Sequence, residues 1–356
     1  MEIIFNLFIS QGHQLTVQYT GQRTTITTLV LSIMVLFIPA LSVCIGAAGV
    51  APSHVFGVIL SHIPHVPVDI SWDRATDAII WHNRFPRVLL GLAVGAILGV
   101  SGVVFQAVIR NSLAEPYVLG VSSGASTGAA FSLIILGLSS AWAMGFFAFA
   151  GSVIATCAVL IIAGRSSSPL KLILSGLAIG FGAQAFTNFI IFTNGSPETN
   201  QAVMFWMLGS LGRARWQAVV ATIIVAIFLT LLMAIIGPLL DALASGDETA
   251  RAVGVPPEIT RLLVLIVVSA AVAIAVSSSG GIGFVGLIVP HIMRIVSGYS
   301  HRMLVINTAL ASALFLVLAD ALARVLISPQ ELPIGVLTGL IGAPVLAILI
   351  RRTTNV

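Results

Sequence analysis

Long apolar runs separated by short polar intervals dominate the chain. They cover residues 27–49, 87–109, 117–137, 141–163, 170–193, 216–240, 260–277, 281–297, 303–327 and 333–350. A helix needs about 20 apolar residues to cross a hydrocarbon layer about 30 Å thick. Backbone groups in lipid must be satisfied within the segment, so these runs predict helices. The alternating segments of about ten residues that build a transmembrane barrel are absent. The pattern therefore predicts an all-α, polytopic membrane protein of about ten spans. The first strong run begins near Thr27, after a polar stretch, and is long enough to span, which marks it as an anchor rather than a cleavable signal. Residues 1–26 are read as a cytoplasmic N-terminal tail and 27–352 as a single transmembrane domain. Ten spans also divide into two halves of five, the count of an inverted repeat.

Three connections are long: 50–86, broken by Pro52, Pro64 and Pro67; 194–215, opening on Asn194-Gly195-Ser196-Pro197; and the polar segment 241–259. The rest are short, so neighbouring helices are antiparallel partners in one bundle. Asn194-Gly195-Ser196 also fits a glycosylation sequon, but a turn is the better reading.

Composition agrees with a lipid-covered exterior. Of the 356 residues 58% are hydrophobic and only 8% charged, against about 25% charged in a soluble domain, and the mean hydropathy is +1.10. Thirty-three glycines and 7% aromatics suit closely packed helices, as do the small-residue pairs Gly91/Gly95, Gly176/Gly180 and Gly335/Gly339. The net charge of +4 is scattered singly through loops, which excludes a nucleic-acid stripe. With the N-terminus inside, ten basic residues lie on the cytoplasmic side: Arg23, Arg110, Arg165, Lys171, Arg251, Arg261, Arg294, Arg302, Arg351 and Arg352. Six lie outside: Arg74, Arg84, Arg87, Arg213, Arg215 and Arg324. The bias has the expected sign. Cys44 and Cys157 stand alone in apolar runs and read as packing residues.

Candidate chemistry is sparse. Gly281-Ile282-Gly283-Phe284-Val285-Gly286 matches G-x-G-x-x-G, but no strand precedes it and no acid follows at the required distance. It reads as a close helix contact or a broken helix end. No phosphate-binding G-x-x-x-x-G-K-[ST] loop exists, so ATP-driven work would need another polypeptide. Ser245-Gly246-Asp247-Glu248-Thr249-Ala250-Arg251 reads as a short capped helix, with Ser245 and Glu248 at capping-box spacing. It is either a connector or a docking element. Asp320 and Arg324 share a helix face at i,i+4, and a structural ion pair is preferred there to a proton relay. His54, His62, His65 and His82 crowd the first outside loop, but their spacing matches no metal template; His291 and His301 flank one end of a span. A lone intramembrane acid is meagre support for a gradient-driven secondary transporter, which remains the alternative from another class.

Several motifs resemble a known family. They are Arg84-Phe85-Pro86-Arg87-Val88-Leu89-Leu90; Arg110-Asn111-Ser112-Leu113-Ala114-Glu115-Pro116; Leu119-Gly120-Val121-Ser122-Ser123-Gly124-Ala125; Gly246 to Arg251 with Gly254-Val255; Gly281 to His291; Asp320 to Arg324; Glu331-Leu332-Pro333-Ile334-Gly335; and Gly342-Ala343-Pro344. Together they resemble the FecCD-type permeases of bacterial ABC importers, over essentially all of the chain after residue 27. One departure is Ser112, where the family usually has Pro.

The resemblance implies the type II ABC importer permease fold, ten spans and both termini cytoplasmic, in the bacterial inner membrane. It implies a second permease chain, as a homodimer, two ATP-binding subunits and an extracytoplasmic substrate-binding protein. It implies no cofactor on this chain, with ATP and magnesium on the ATPase. The cargo expected first is a ferric siderophore, then haem, then cobalamin. Arg84, Arg87 and Arg324 would dock the binding protein. Ser245, Asp247, Glu248 and Arg251 would couple to the ATPase, and Asn111 and Leu113 would belong to the cytoplasmic gate.

Overall fold

The computed structural model describes residues 2–46, 49–164, 168–327 and 330–353; Arg165, counted above among the inside charges, lies outside them. In chain order the helices are α1 Glu2–Cys44, α2 Pro52–Ser61, α3 Arg74–Ala78, α4 Phe85–Ile109, α5 Val121–Ala130, α6 Ala141–Ala163, α7 Pro169–Asn194 and α8 Pro197–Met207. They continue as α9 Trp216–Ile235, α10 Gly237–Ala244, α11 Asp247–Ala252, α12 Pro257–Ser279, α13 Val285–Ser297, α14 His301–Ala323 and α15 Ile334–Thr353. No strand occurs among the described residues. The part of α1 from Gln22 onward is apolar enough to cross a membrane, and the helix itself begins at Glu2, within the stretch read as a tail.

Seven helical stretches among the described residues are long and apolar enough to cross a membrane. With the shorter apolar helices α5, α13 and α15 they occupy the ten expected positions. The structure departs from the expected spans at four places. The span expected at 87–109 starts earlier, because a π-helical stretch, Ile79–Arg84, joins α3 to α4. The 117–137 run is split into a 3-10 turn at Pro116–Leu119, then α5, then a π-helical turn at Phe131–Ile135. The 216–240 run breaks between α9 and α10, where Gly237 lies against the Arg302 backbone. The 281–297 run is helical only from Val285. The proline-rich loops 50–86 and 194–215 also hold helices: α2 and α8 each open on a proline, which suits the first helical turn, where its missing N–H is not needed. Ser196 and Thr199 close a reciprocal capping box at the start of α8, so Asn194-Gly195-Ser196 is a helix junction.

Helix α4 is the hub, with α14 along one flank and α9, α12 and α13 around it. Its glycines explain how closely the backbones approach. A Cβ on Gly95 would meet the Ser312 carbonyl of α14, and one on Gly102 would meet the carbonyl of Gly286 in α13. Small residues at helix crossings are the main source of tight packing in lipid. Gly102→Ala is expected to cost about 1–3 kcal/mol by overpacking, seen as a lower unfolding midpoint in detergent. Gly182→Ala on α7, where nothing lies within 4 Å of the added carbon, should be neutral or mildly stabilising.

Candidate functional site

At one end of the bundle, the start of α4 and the end of α14 bring charged groups together. Arg87 Nε lies 2.9 and 3.1 Å from the two Asp320 carboxylate oxygens, and its Nη1 donates to both Glu331 oxygens at 2.9 and 2.8 Å. Arg324 Nε sits 3.2 Å from Asp320 Oδ2. Its other nitrogens donate to the Ile45 carbonyl at 2.6 Å and to Ser42 Oγ at 2.8 Å. Arg84 donates to the carbonyls of Val43 and Cys44 at the end of α1. The expected Asp320–Arg324 pair exists, and Arg87, distant in sequence, joins it. Arg84, Arg87 and Arg324 are only 5, 4 and 4% exposed, and Asp320 2%. Arg87, Asp320 and Arg324 form an interior network, with Glu331 as its half-exposed member, and Arg84 is buried on the end of α1.

The other end of the bundle lies across α4, a 25-residue helix roughly 37 Å long at 1.5 Å per residue. There Asp247, the first residue of α11, accepts from Arg110 at 3.0 Å and from Arg261 at 2.7 Å. It ties the short helix to the end of α4 and the start of α12. Ser245 does not cap α11. It closes α10, donating to the Asp241 carbonyl at 2.9 Å, and the cap position is Gly246 at φ 118, a backbone state that suits glycine. Glu248, Thr249 and Arg251 face outward, with Arg251 paired to Glu258. Ala250 is buried and Val253, just past the helix, is 65% exposed. His301, read from the sequence as flanking a span, is buried and bonded to Asp241, which pins α10 to α14.

Beside this end lies the loop that carries Asn111 and Leu113. Arg110 takes a left-handed conformation at φ 55. Asn111 Oδ1 then accepts from the Leu113 amide at 2.9 Å, and its carbonyl accepts from Ala114 at 3.0 Å. The turn closes without the proline that Ser112 replaces, because the Asn side chain does the closing. Farther along, Glu115 Oε1 accepts from the Phe284 amide at 2.7 Å. Tyr117 Oη both accepts from the Ile282 amide and donates to its carbonyl, at 3.0 Å each. The glycine motif is thus a broken helix end whose freed backbone groups are satisfied by a neighbouring loop, as irregular backbone at membrane depth requires. Phe284 is left-handed at φ 68, and its ring lies against Gly342 of α15.

The histidines of the first loop do not converge. His62 stacks on Trp81 with ring centroids 3.9 Å apart, in an aromatic group with Phe85 and Trp216. Among the described residues no three His, Cys, Asp or Glu side chains are placed to hold a metal ion. Glu331, Arg110, Arg261, Glu115 and Tyr117 are the partners that sequence reasoning missed. Only Glu331, Arg110 and Glu115 carried a signal, since all three lie in family motifs.

The chain is 36% identical over 347 residues to the vitamin B12 import system permease protein BtuC of Salmonella typhi, covering 96% of this chain and all of that one. It is 36% identical over 326 residues to the protein of the same name from Citrobacter koseri, covering 91% and 93%. Among solved structures, a chain assigned to the metal-chelate type of ABC transporter, in an inward-facing conformation, superposes with a TM-score of 0.79 at 29% identity, covering 91% of this chain and 98% of that one. PsaBC from Streptococcus pneumoniae in complex with Fab superposes at a TM-score of 0.56 and 19% identity, over 76% and 92%, which bears on fold alone. The profile of the FecCD transport family matches residues 33–352, so the chain, a multi-span membrane protein with the type II ABC importer permease fold, belongs to that family as a transport component of an ABC importer.

Proposed function

We propose that two copies of this chain form the pathway of an inner-membrane importer for a metal chelate, with both termini cytoplasmic. Two ATPase subunits that carry ATP and magnesium drive it, and an extracytoplasmic binding protein delivers the cargo. The observation that carries this reading is the pairing, at opposite ends of one family fold, of a buried arginine network with a short exposed helix anchored by Asp247. Among chelates, cobalamin moves ahead of ferric siderophore and haem, because relatives matching over nearly the whole chain are vitamin B12 permeases. The test is reconstitution of the chain with its ATPase and binding protein in proteoliposomes. ATP-dependent uptake of cobalamin, and not of a ferric siderophore, supports the reading. Siderophore uptake alone would reverse the order, and uptake driven by an ion gradient without ATPase would replace the reading with a secondary carrier.

In this reading the Arg84, Arg87 and Arg324 end receives the binding protein, and the Asn111–Leu113 turn forms part of the cytoplasmic gate. Because Arg87 already holds two carboxylates, an incoming acidic side chain must take the place of Glu331, the more exposed of the pair. Glu331→Gln is therefore expected to tighten binding-protein docking by about twofold to tenfold, measured by surface plasmon resonance on nanodiscs. Unchanged or weaker docking would remove this exchange.

A further inference from the structure

Helix α12 packs against α6 on one side and α9 on the other. Toward the end that holds the arginine network, these two helices frame a groove over it, with a cavity of about 580 Å³, within the size range of small-ligand sites. Trp142 and Phe146 of α6, Ala221 of α9 and Ile274 of α12 line its walls. The hydroxyls of its floor are already spent on the helices: Ser277 and Ser278 donate to the Ile274 carbonyl at 2.8 and 3.1 Å, and Thr222 to Ala218 at 2.7 Å. The groove therefore offers a largely apolar trough whose helix hydroxyls are taken, with Trp206, Ser210 and Gln217 as the remaining side-chain donors along it.

The rim is different. Arg213 and Arg215, in the connection before α9, both line the cavity and are exposed. Their guanidinium groups make no hydrogen bond or ion pair with any described residue. Glu331 is the one acid at the cavity, and Arg87 holds both its oxygens. Two unpaired guanidinium forks thus stand over a trough that runs down the side of the bundle. Trp142 and Phe146 beside it are 61 and 65% exposed, as a lipid-facing surface with interfacial aromatics would be.

We propose that this groove binds one anionic phospholipid. An acyl chain lies between α6 and α9, and the phosphate sits between Arg213 and Arg215. Guanidinium forks match phosphate oxygens in geometry as well as charge, and basic pockets between membrane helices are a known way of holding acidic headgroups. A soluble acidic protein would meet the end of the bundle but could not fill the trough. A second copy of this chain packed here would bury two unpaired cations.

The test is native mass spectrometry of the full chain titrated with phosphatidylglycerol and, separately, phosphatidylethanolamine. One phosphatidylglycerol should be retained per chain in preference to phosphatidylethanolamine. The R213Q/R215Q variant should bind it at least about tenfold more weakly, with phosphatidylethanolamine binding unchanged. Ala221→Phe, which fills the trough and leaves the arginines in place, should also lose it. Both arginines are exposed, so the double variant should keep the wild-type unfolding midpoint in lipid-free detergent. Equal retention of the two lipids, or full retention of phosphatidylglycerol by either variant, would overturn the proposal. So would complete competition by inorganic phosphate, which would mark a site for the free anion, or loss of a permease dimer as the double variant's only change.

Discussion

Asp320→Asn is expected to lower stability by about 3–5 kcal/mol, enough to deplete the folded protein. Asp320 is the deep acid shared by two nearly buried arginines, Arg87 and Arg324. Removing one partner of a buried ion pair leaves charge uncompensated in a region of low polarisability, which costs far more than the intact pair contributes. Glu331 would remain on Arg87, and the carbonyl of Ile45 and the Ser42 hydroxyl on Arg324, but dipoles replace a full charge poorly. The double variant Asp320→Asn/Arg324→Met removes one charge of each sign and should be milder than the single. Unfolding midpoints of the three proteins in one detergent decide this. A single variant that melts like wild type would show that the network is not structural. If it also failed to transport, the result would revive a proton-relay role for Asp320.

What could be read from the sequence follows the range of the interactions. Apolar runs are local, so all ten helical positions were legible. Asp320–Arg324 obeys the helical period and was legible too, whereas Arg87 is 233 residues from Asp320 and no spacing rule connects them. The glycine run at 281–286 signalled a broken helix, but not that Glu115 and Tyr117 hold it. Two local signals misled. Pro52 and Pro197 read as loop breakers because a proline ends one helix as readily as it begins another. Ser245 and Glu248 have capping-box spacing, yet Ser245 ends α10, a helix hidden because the run 216–240 looked continuous. That hid Gly246 as the cap of α11. The burial of Arg84 and Arg87 was also invisible, since an arginine in an outside loop ordinarily faces water.

Asp247→Ala is expected to lower stability, because buried Arg261 loses its carboxylate, and to leave a permease that still binds its ATPase but no longer converts hydrolysis into uptake. Two sets of contacts on α11 separate these effects. The outward set, Glu248, Thr249, Arg251 and Val253, is available to a partner. The inward set is Asp247, whose single oxygen joins Arg110 after α4 to Arg261 on α12. In the proposed importer, a push on α11 would reach α4, the hub of the bundle, through that carboxylate. Without it, the remaining anchors are the packing of Ala250 and the exposed Arg251–Glu258 pair to α12. Coupling between sites is typically worth 1–3 kcal/mol, so the ratio of cargo moved to ATP hydrolysed should fall by about fivefold to a hundredfold. Val253→Asp should do the opposite, weakening ATPase association while sparing the ratio in the complexes that still form. Parallel measurement of ATPase binding, hydrolysis and uptake in proteoliposomes distinguishes the two. An Asp247→Ala permease with a wild-type ratio would mean that force passes through the packing of α10 against α14, where His301 meets Asp241. The arginine pair around Asp247 would then serve only to hold α11 in place.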